Sequence, residues 1–109
     1  MNNINKLENK LTNEYNKFKE KTLEKSKEDI FNSAYEITSK EEIKEMLQMI
    51  ELYEKEITAL IDQDDVLNEF YHDWLNDDSS LGESMENSIL NSITTVTRYY
   101  DKNNNKERD

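Results

Sequence analysis

The sequence predicts an all-α protein, a small helical bundle of five to six helices with a long N-terminal helix and a frayed C-terminal tail. Three observations carry this. Pro is absent and Gly occurs once, at Gly82, whereas strand proteins use both residues for hairpins and bulges. Apolar residues recur at steps of three and four, the period of a helix with one buried face. Ser and Asp stand at intervals where helix N-termini need side-chain acceptors.

The elements follow in order. A first helix is expected from about Asn3 to Glu24, because Ile4, Leu7, Leu11, Tyr15 and Phe18 make one narrow apolar stripe. Ser26 with Asp29 resembles a capping box and opens a short helix carrying Ile30, Phe31, Ala34, Tyr35 and Ile37. Ser39 with Glu42 repeats that signature and opens a third helix, with Ile43, Met46, Leu47 and Ile50 on one face. Near Glu51–Tyr53 the phase is lost, and a short segment with Ile57, Leu60 and Ile61 follows. The acidic run Asp62-Gln63-Asp64-Asp65 reads as a turn and N-cap, since carboxylates satisfy free amides and suit the helix dipole. Val66, Leu67, Phe70, Tyr71, Trp74 and Leu75 then form the most apolar face in the chain, where the core is expected to centre. A last helix, starting near Ser79 or Ser80, carries Leu81, Met85, Ile89, Ile93, Val96 and Tyr100.

With 109 residues there is room for one compact domain. Residues 1–25 are expected as an amphipathic N-terminal helix, 26–100 as an acidic helical domain and 101–109 as a disordered tail. Apolar residues are 34% of the chain and charged residues 36%, so the core is lean and built from large side chains.

Charge is segregated along the chain. Residues 1–27 hold seven Lys and four acids, a net of +3. Residues 28–86 hold eighteen acids against Lys40, Lys44 and Lys55, a net of −15, and residues 87–109 carry +1. Between Lys55 and Arg98 there is no Lys or Arg. On the helix after Asp64, the side chains of Asp65, Glu69 and Asp73 fall within about 80° of one another, opposite the apolar face. Like charges at this spacing repel, and an ordinary solvated helix face mixes both signs. The acidic face is read either as a solvated face that keeps a lean domain soluble or as a recognition surface, with Asp62, Asp64, Asp65, Glu69, Asp73, Asp77 and Asp78 as contact acids. Such a surface repels nucleic acid, whose affinity for proteins comes from Lys and Arg at the phosphates. It attracts and steers a basic protein surface.

Enzymatic chemistry is not expected. Cys is absent, which removes thiolate nucleophiles, disulfides and Cys-based zinc sites and fits a reducing cytoplasm. His72 is the one histidine, and Glu69-x-x-His72 is half of a di-iron bundle motif that needs two. Asp62–Asp65 lacks the glycine and spacing of a calcium loop. No catalytic residue, metal ligand or cofactor is assigned. No apolar run reaches membrane-spanning length, and Met1–Glu20 has no apolar leader segment, so a cytoplasmic protein with no membrane partner is expected.

Three segments carry a resemblance: Asp29 to Glu36, Glu41-Glu42-Ile43, and Val66 to Leu75. Together they resemble a family of small helical proteins of unknown function from prophages and mobile elements of Gram-positive anaerobes. The family pattern has an alanine-tyrosine pair in a short helix and an acidic, aromatic helix before an Asp-Ser-Ser turn. Ala34-Tyr35 and Asp78-Ser79-Ser80 match it, and the likeness spans roughly residues 28–95. The resemblance implies a mobile-element setting in a host bacterial cytoplasm, where small acidic proteins act as inhibitors of defence nucleases. The expected function is thus a non-enzymatic acidic inhibitor that binds a basic nucleic-acid-handling protein such as a CRISPR effector nuclease, an anti-CRISPR-like role. The alternative is a structural or regulatory module that forms a homodimer through the stripe of Ile4, Leu7, Leu11, Tyr15 and Phe18.

Overall fold

The computed structural model describes residues 3–76 and 84–105, and within them the chain is all-α. Six helices run in the order α1 (Asn3–Leu23), α2 (Lys27–Asn32), α3 (Ala34–Met49), α4 (Glu54–Asp62), α5 (Val66–Leu75) and α6 (Met85–Asn105).

Four of the starts have a local capping contact. Ser26 Oγ accepts from the Asp29 amide at 3.2 Å to open α2, and Asp65 Oδ1 accepts from the Asn68 amide at 3.2 Å to open α5. At the head of α4 the Glu56 carboxylate takes the Tyr53 amide at 2.9 Å. Ser84 Oγ accepts from the Asn87 amide at 3.1 Å, so the described part of the last helix is capped at Ser84; Ser79 and Ser80 lie outside the described residues. The break between α3 and α4 falls at Ile50–Tyr53, where the apolar phase is lost.

Two sequence expectations need correction. Ser39 does not cap a third helix: the break lies at Ser33, whose Oγ and amide turn back to the Asp29 carbonyl at 2.8 and 3.0 Å. Ser39 is buried inside α3 on the same face as Lys40, Ile43 and Leu47. A small side chain fits there, so packing overrides the capping signature. Residues 101–105, expected in the tail, are helical, and residues 106–109 lie outside the described residues. The α6 helix runs on to Asn105, and Asp101 pairs with Lys55 at 2.7 Å.

The core draws on five helices, with Leu7 and Leu11 from α1, Ile43 and Leu47 from α3, and Ile57 and Leu60 from α4. Val66, Leu67 and Phe70 come from α5, and Ile89, Ile93 and Val96 from α6. The α1 helix is therefore part of the same core as the acidic helices, since it packs on α3, α4 and α5. Tyr71 and Trp74 are only half-buried, at the edge of that core. Phe70 is the aromatic side chain at its centre, and Trp74 instead donates from Nε1 to Tyr35 Oη at 2.7 Å.

Candidate interaction surface

The turn from α4 into α5 and the C-terminal half of α6 enclose a groove of about 380 Å³. Asp62, Asp64, Asp65 and Glu69 line it on one side and Val96, Tyr99 and Tyr100 on the other. Four of the seven predicted contact acids thus come together. Asp62, Asp64 and Glu69 are exposed, and Tyr99 is 65% exposed.

The other predicted acids are placed differently. Asp73 turns to α6, where its carboxylate accepts from Ser92 Oγ at 2.8 Å in a separate groove lined by Ser88, Asn91 and Thr95. It does not stand in an outward row with Asp65 and Glu69, as the helical angle alone predicted. A neighbouring helix with a small residue at position 92 captures it. Asp77 and Asp78 lie outside the described residues.

Asp65 has structural work at the head of α5. That N-terminus presents four amides that need acceptors. Glu14, on α1, takes the first two: Oε2 accepts from Val66 and Oε1 from Leu67, each at 3.0 Å. The Asp65 side chain takes the Asn68 amide, and its carbonyl accepts from Glu69 at 3.0 Å. Lys10 holds Glu14 from one turn earlier at 3.0 Å and also donates to the Asp64 carbonyl at 3.2 Å. Two carboxylates at the positive end of the helix dipole are stabilising. The Glu14 charge is committed to the fold, while Asp65 caps α5 and stays exposed, as Asp62, Asp64 and Glu69 do.

A second cluster lies between α1, α3 and α5. Lys40 is buried, pairs with Glu36 at 2.9 Å and donates to Asn68 Oδ1 at 3.3 Å. Its ammonium sits 4.0 Å from the Phe18 ring centroid and 5.8 Å from that of Tyr71, a cation–π arrangement. Burial, with the Glu36 carboxylate as a second cause, raises the Tyr71 phenol above its ordinary value, and burial with Glu41 and Glu45 does the same for Tyr15.

Sequence reasoning missed Glu14, Lys40 and Tyr99. Lys10 and Glu14 at i,i+4 look like an ordinary surface pair, and nothing local shows that Glu14 reaches a helix 52 residues on. The stripe proposed for self-association is largely spent inside the molecule. Leu7 and Leu11 are fully buried, and Ile4 and Tyr15 pack against the same core. Phe18 is partly buried, under Lys40.

His72 is exposed, with its ring 5.9 Å from that of Tyr71. No described helix is long and apolar enough to cross a membrane. Comparison of the chain with protein-family models, curated proteins and solved structures finds no match.

Proposed function

We propose that this chain is a non-enzymatic inhibitor that docks its acidic groove on a basic, nucleic-acid-handling protein such as a CRISPR effector nuclease. The observation that carries the reading is the gathering of Asp62, Asp64 and Glu69, all exposed, around Tyr99 in one groove. No Lys or Arg interrupts the chain between Lys55 and Arg98, so the acids on this side are not screened by neighbours in sequence. Carboxylates at that spacing steer a cationic surface into contact. An exposed tyrosine beside them offers a flat face for an arginine guanidinium, which stacks and pairs at once. The partner's own ligand would be a polyanion, and the acidic groove competes for the same cations. The mobile-element setting implied by the family resemblance fits that role.

The test compares two charge reversals of equal size in capture from host lysate. Asp62→Lys, Asp64→Lys and Glu69→Lys together change only exposed side chains and spare the cap at Asp65 and the Ser92 bond of Asp73. Lys6→Glu, Lys17→Glu and Lys21→Glu form the control, because these lysines are also exposed. Lys10 is left alone because it holds Glu14. The wild type and the lysine control are expected to retain one stoichiometric nucleic-acid-binding protein, which added nucleic acid displaces. The acid-reversed variant is expected to lose it. Equal capture by both variants would show that the acidic groove is only a solvated face.

A further inference from the structure

The groove between the α4–α5 turn and α6 carries charge of one sign. Asp62, Asp64, Asp65 and Glu69 line it, all exposed, and among the described residues no Lys or Arg is part of the lining. The grooves along α1 differ. There Lys6, Lys10 and Lys17 stand with Glu14 and Asp64, and Lys17, Lys21 and Lys40 stand with Glu14, Asp64 and Asp65, so the signs are mixed. The helix ends add to the bias of the first groove. Asp62 is the last residue of α4, so the negative end of that helix dipole lies at the groove. The positive end of α5 is offset by the Glu14 and Asp65 carboxylates on its first amides.

Shape then selects among cations. Among the described residues no three His, Asp or Glu side chains are grouped so as to hold a metal ion, so the carboxylates are spread along the groove rather than aimed at one point. The volume of about 380 Å³ falls at the small end of ligand clefts, which run from ~300 to ~1,000 Å³, and it admits a whole side chain. Ala59 and Val96, both buried, give the lining an apolar part on which an aliphatic stem can lie. On the α6 side the 65% exposure of Tyr99 leaves its ring open to a stacking partner. A guanidinium is flat, weakly hydrated and forked, so it can stack on that ring while its N–H groups donate to the carboxylates. An ammonium is a compact, strongly hydrated point charge and would use the carboxylates alone.

We propose, resting on the docking function given above, that this groove receives an arginine side chain of the partner protein and selects it over lysine, with Tyr99 setting the preference. The partner's contact narrows from a basic surface to an arginine-bearing segment.

Calorimetric titration of the full chain with an arginine–glycine peptide and its lysine–glycine counterpart, equal in length and charge, tests this. In about 50 mM salt, where screening is weak, the arginine peptide is expected to bind about tenfold more tightly, the size of a cation–π contact at a partly exposed ring. Tyr99→Leu removes the ring and should bring the arginine peptide down to the affinity of the lysine one, whereas Tyr99→Phe should keep the preference. Because Tyr99 is exposed, both variants should retain the wild-type thermal melt. Asp62→Asn, Asp64→Asn and Glu69→Gln together should weaken both peptides alike. Equal affinity of the wild type for the two peptides, binding of neither, or a preference that survives Tyr99→Leu overturns the proposal. The result is separable from that of lysate capture. A chain that selects the arginine peptide yet retains no nucleic-acid-binding protein keeps the groove's specificity and loses the inhibitor reading. A chain that retains such a protein without preferring arginine keeps the inhibitor reading and loses this one.

Discussion

Glu14 shows how one side chain can hold two distant parts of a chain together. Its carboxylate, with a side chain only 9% exposed, spans the amides of Val66 and Leu67, and those residues are themselves buried. Glu14→Ala leaves two amides without acceptors where the apolar side chains around them hinder water. Such orphaned groups cost about 1–3 kcal/mol each in buried settings, and partial hydration at this seam puts the expected loss near 2 kcal/mol. For a domain of this size that is a fall in melting temperature of about 10 °C. Glu14→Gln keeps one carbonyl acceptor and should fall between Ala and wild type. Urea denaturation of the three proteins checks the order. If Glu14→Ala melts like the wild type, the α5 amides are satisfied by water and the carboxylate is dispensable. Lys40 is the contrasting case. Its partner Glu36 keeps 30% side-chain exposure, so that carboxylate retains water whatever happens at position 40, while the Lys40 ammonium lies over the Phe18 ring, 4.0 Å from its centroid.

The helix α5 has a clear inner and outer edge, and its aromatics divide between them. Phe70 is 1% exposed at the centre of the core, and Trp74, one turn later, is half-buried with its indole bonded to Tyr35. Phe70→Ala is therefore expected to cost about 3–5 kcal/mol, most of the stability of a small domain. Trp74→Ala should cost about 1–2 kcal/mol and leave a folded chain. Thermal melts of the two variants decide this, and the reverse order would move the core toward the C-terminal end of α5. The residues that sequence periodicity read well are those whose burial depends on their own helix, such as Leu7, Leu11, Ile43, Leu47, Phe70 and Ile93. It misjudged Trp74 because the end of an amphipathic stripe looks like its middle until the packing of α3 and α6 is known. It misplaced a helix start at Ser39 for a related reason: a capping signature is local, and the buried face of α3 runs straight through it. The acidic turn Asp62–Asp65 was legible as a cap. Its second cap from Glu14 was not, because that contact depends on how α1 crosses α5.

At the scale of the whole molecule, the fold rearranges the charge segregation of the sequence. The basic helix α1 lies against the acidic turn, where Lys10 engages both Glu14 and the Asp64 backbone, and Lys6, Lys10 and Lys17 share a shallow groove with Glu14 and Asp64. Part of the positive excess of residues 1–27 thus sits beside carboxylates of its own chain. What faces outward on the α4–α5–α6 side is the groove of Asp62, Asp64 and Glu69, within a net charge of −11. A polyphosphate approaching this molecule meets long-range repulsion, and the lysines of α1 offer only a short row interrupted by acids. Non-specific nucleic-acid affinity rises steeply as salt falls, so about 50 mM salt is a demanding condition under which to look for it. A mobility-shift assay there with single-stranded and duplex DNA and with RNA is expected to show no binding by the isolated chain. Micromolar binding would overturn the reading that the acidic groove competes with nucleic acid for a basic partner. Repeating the assay with Lys6→Glu and Lys17→Glu would then show whether α1, rather than the acidic groove, is the working surface, because loss of binding in that variant assigns the phosphate contacts to those two side chains.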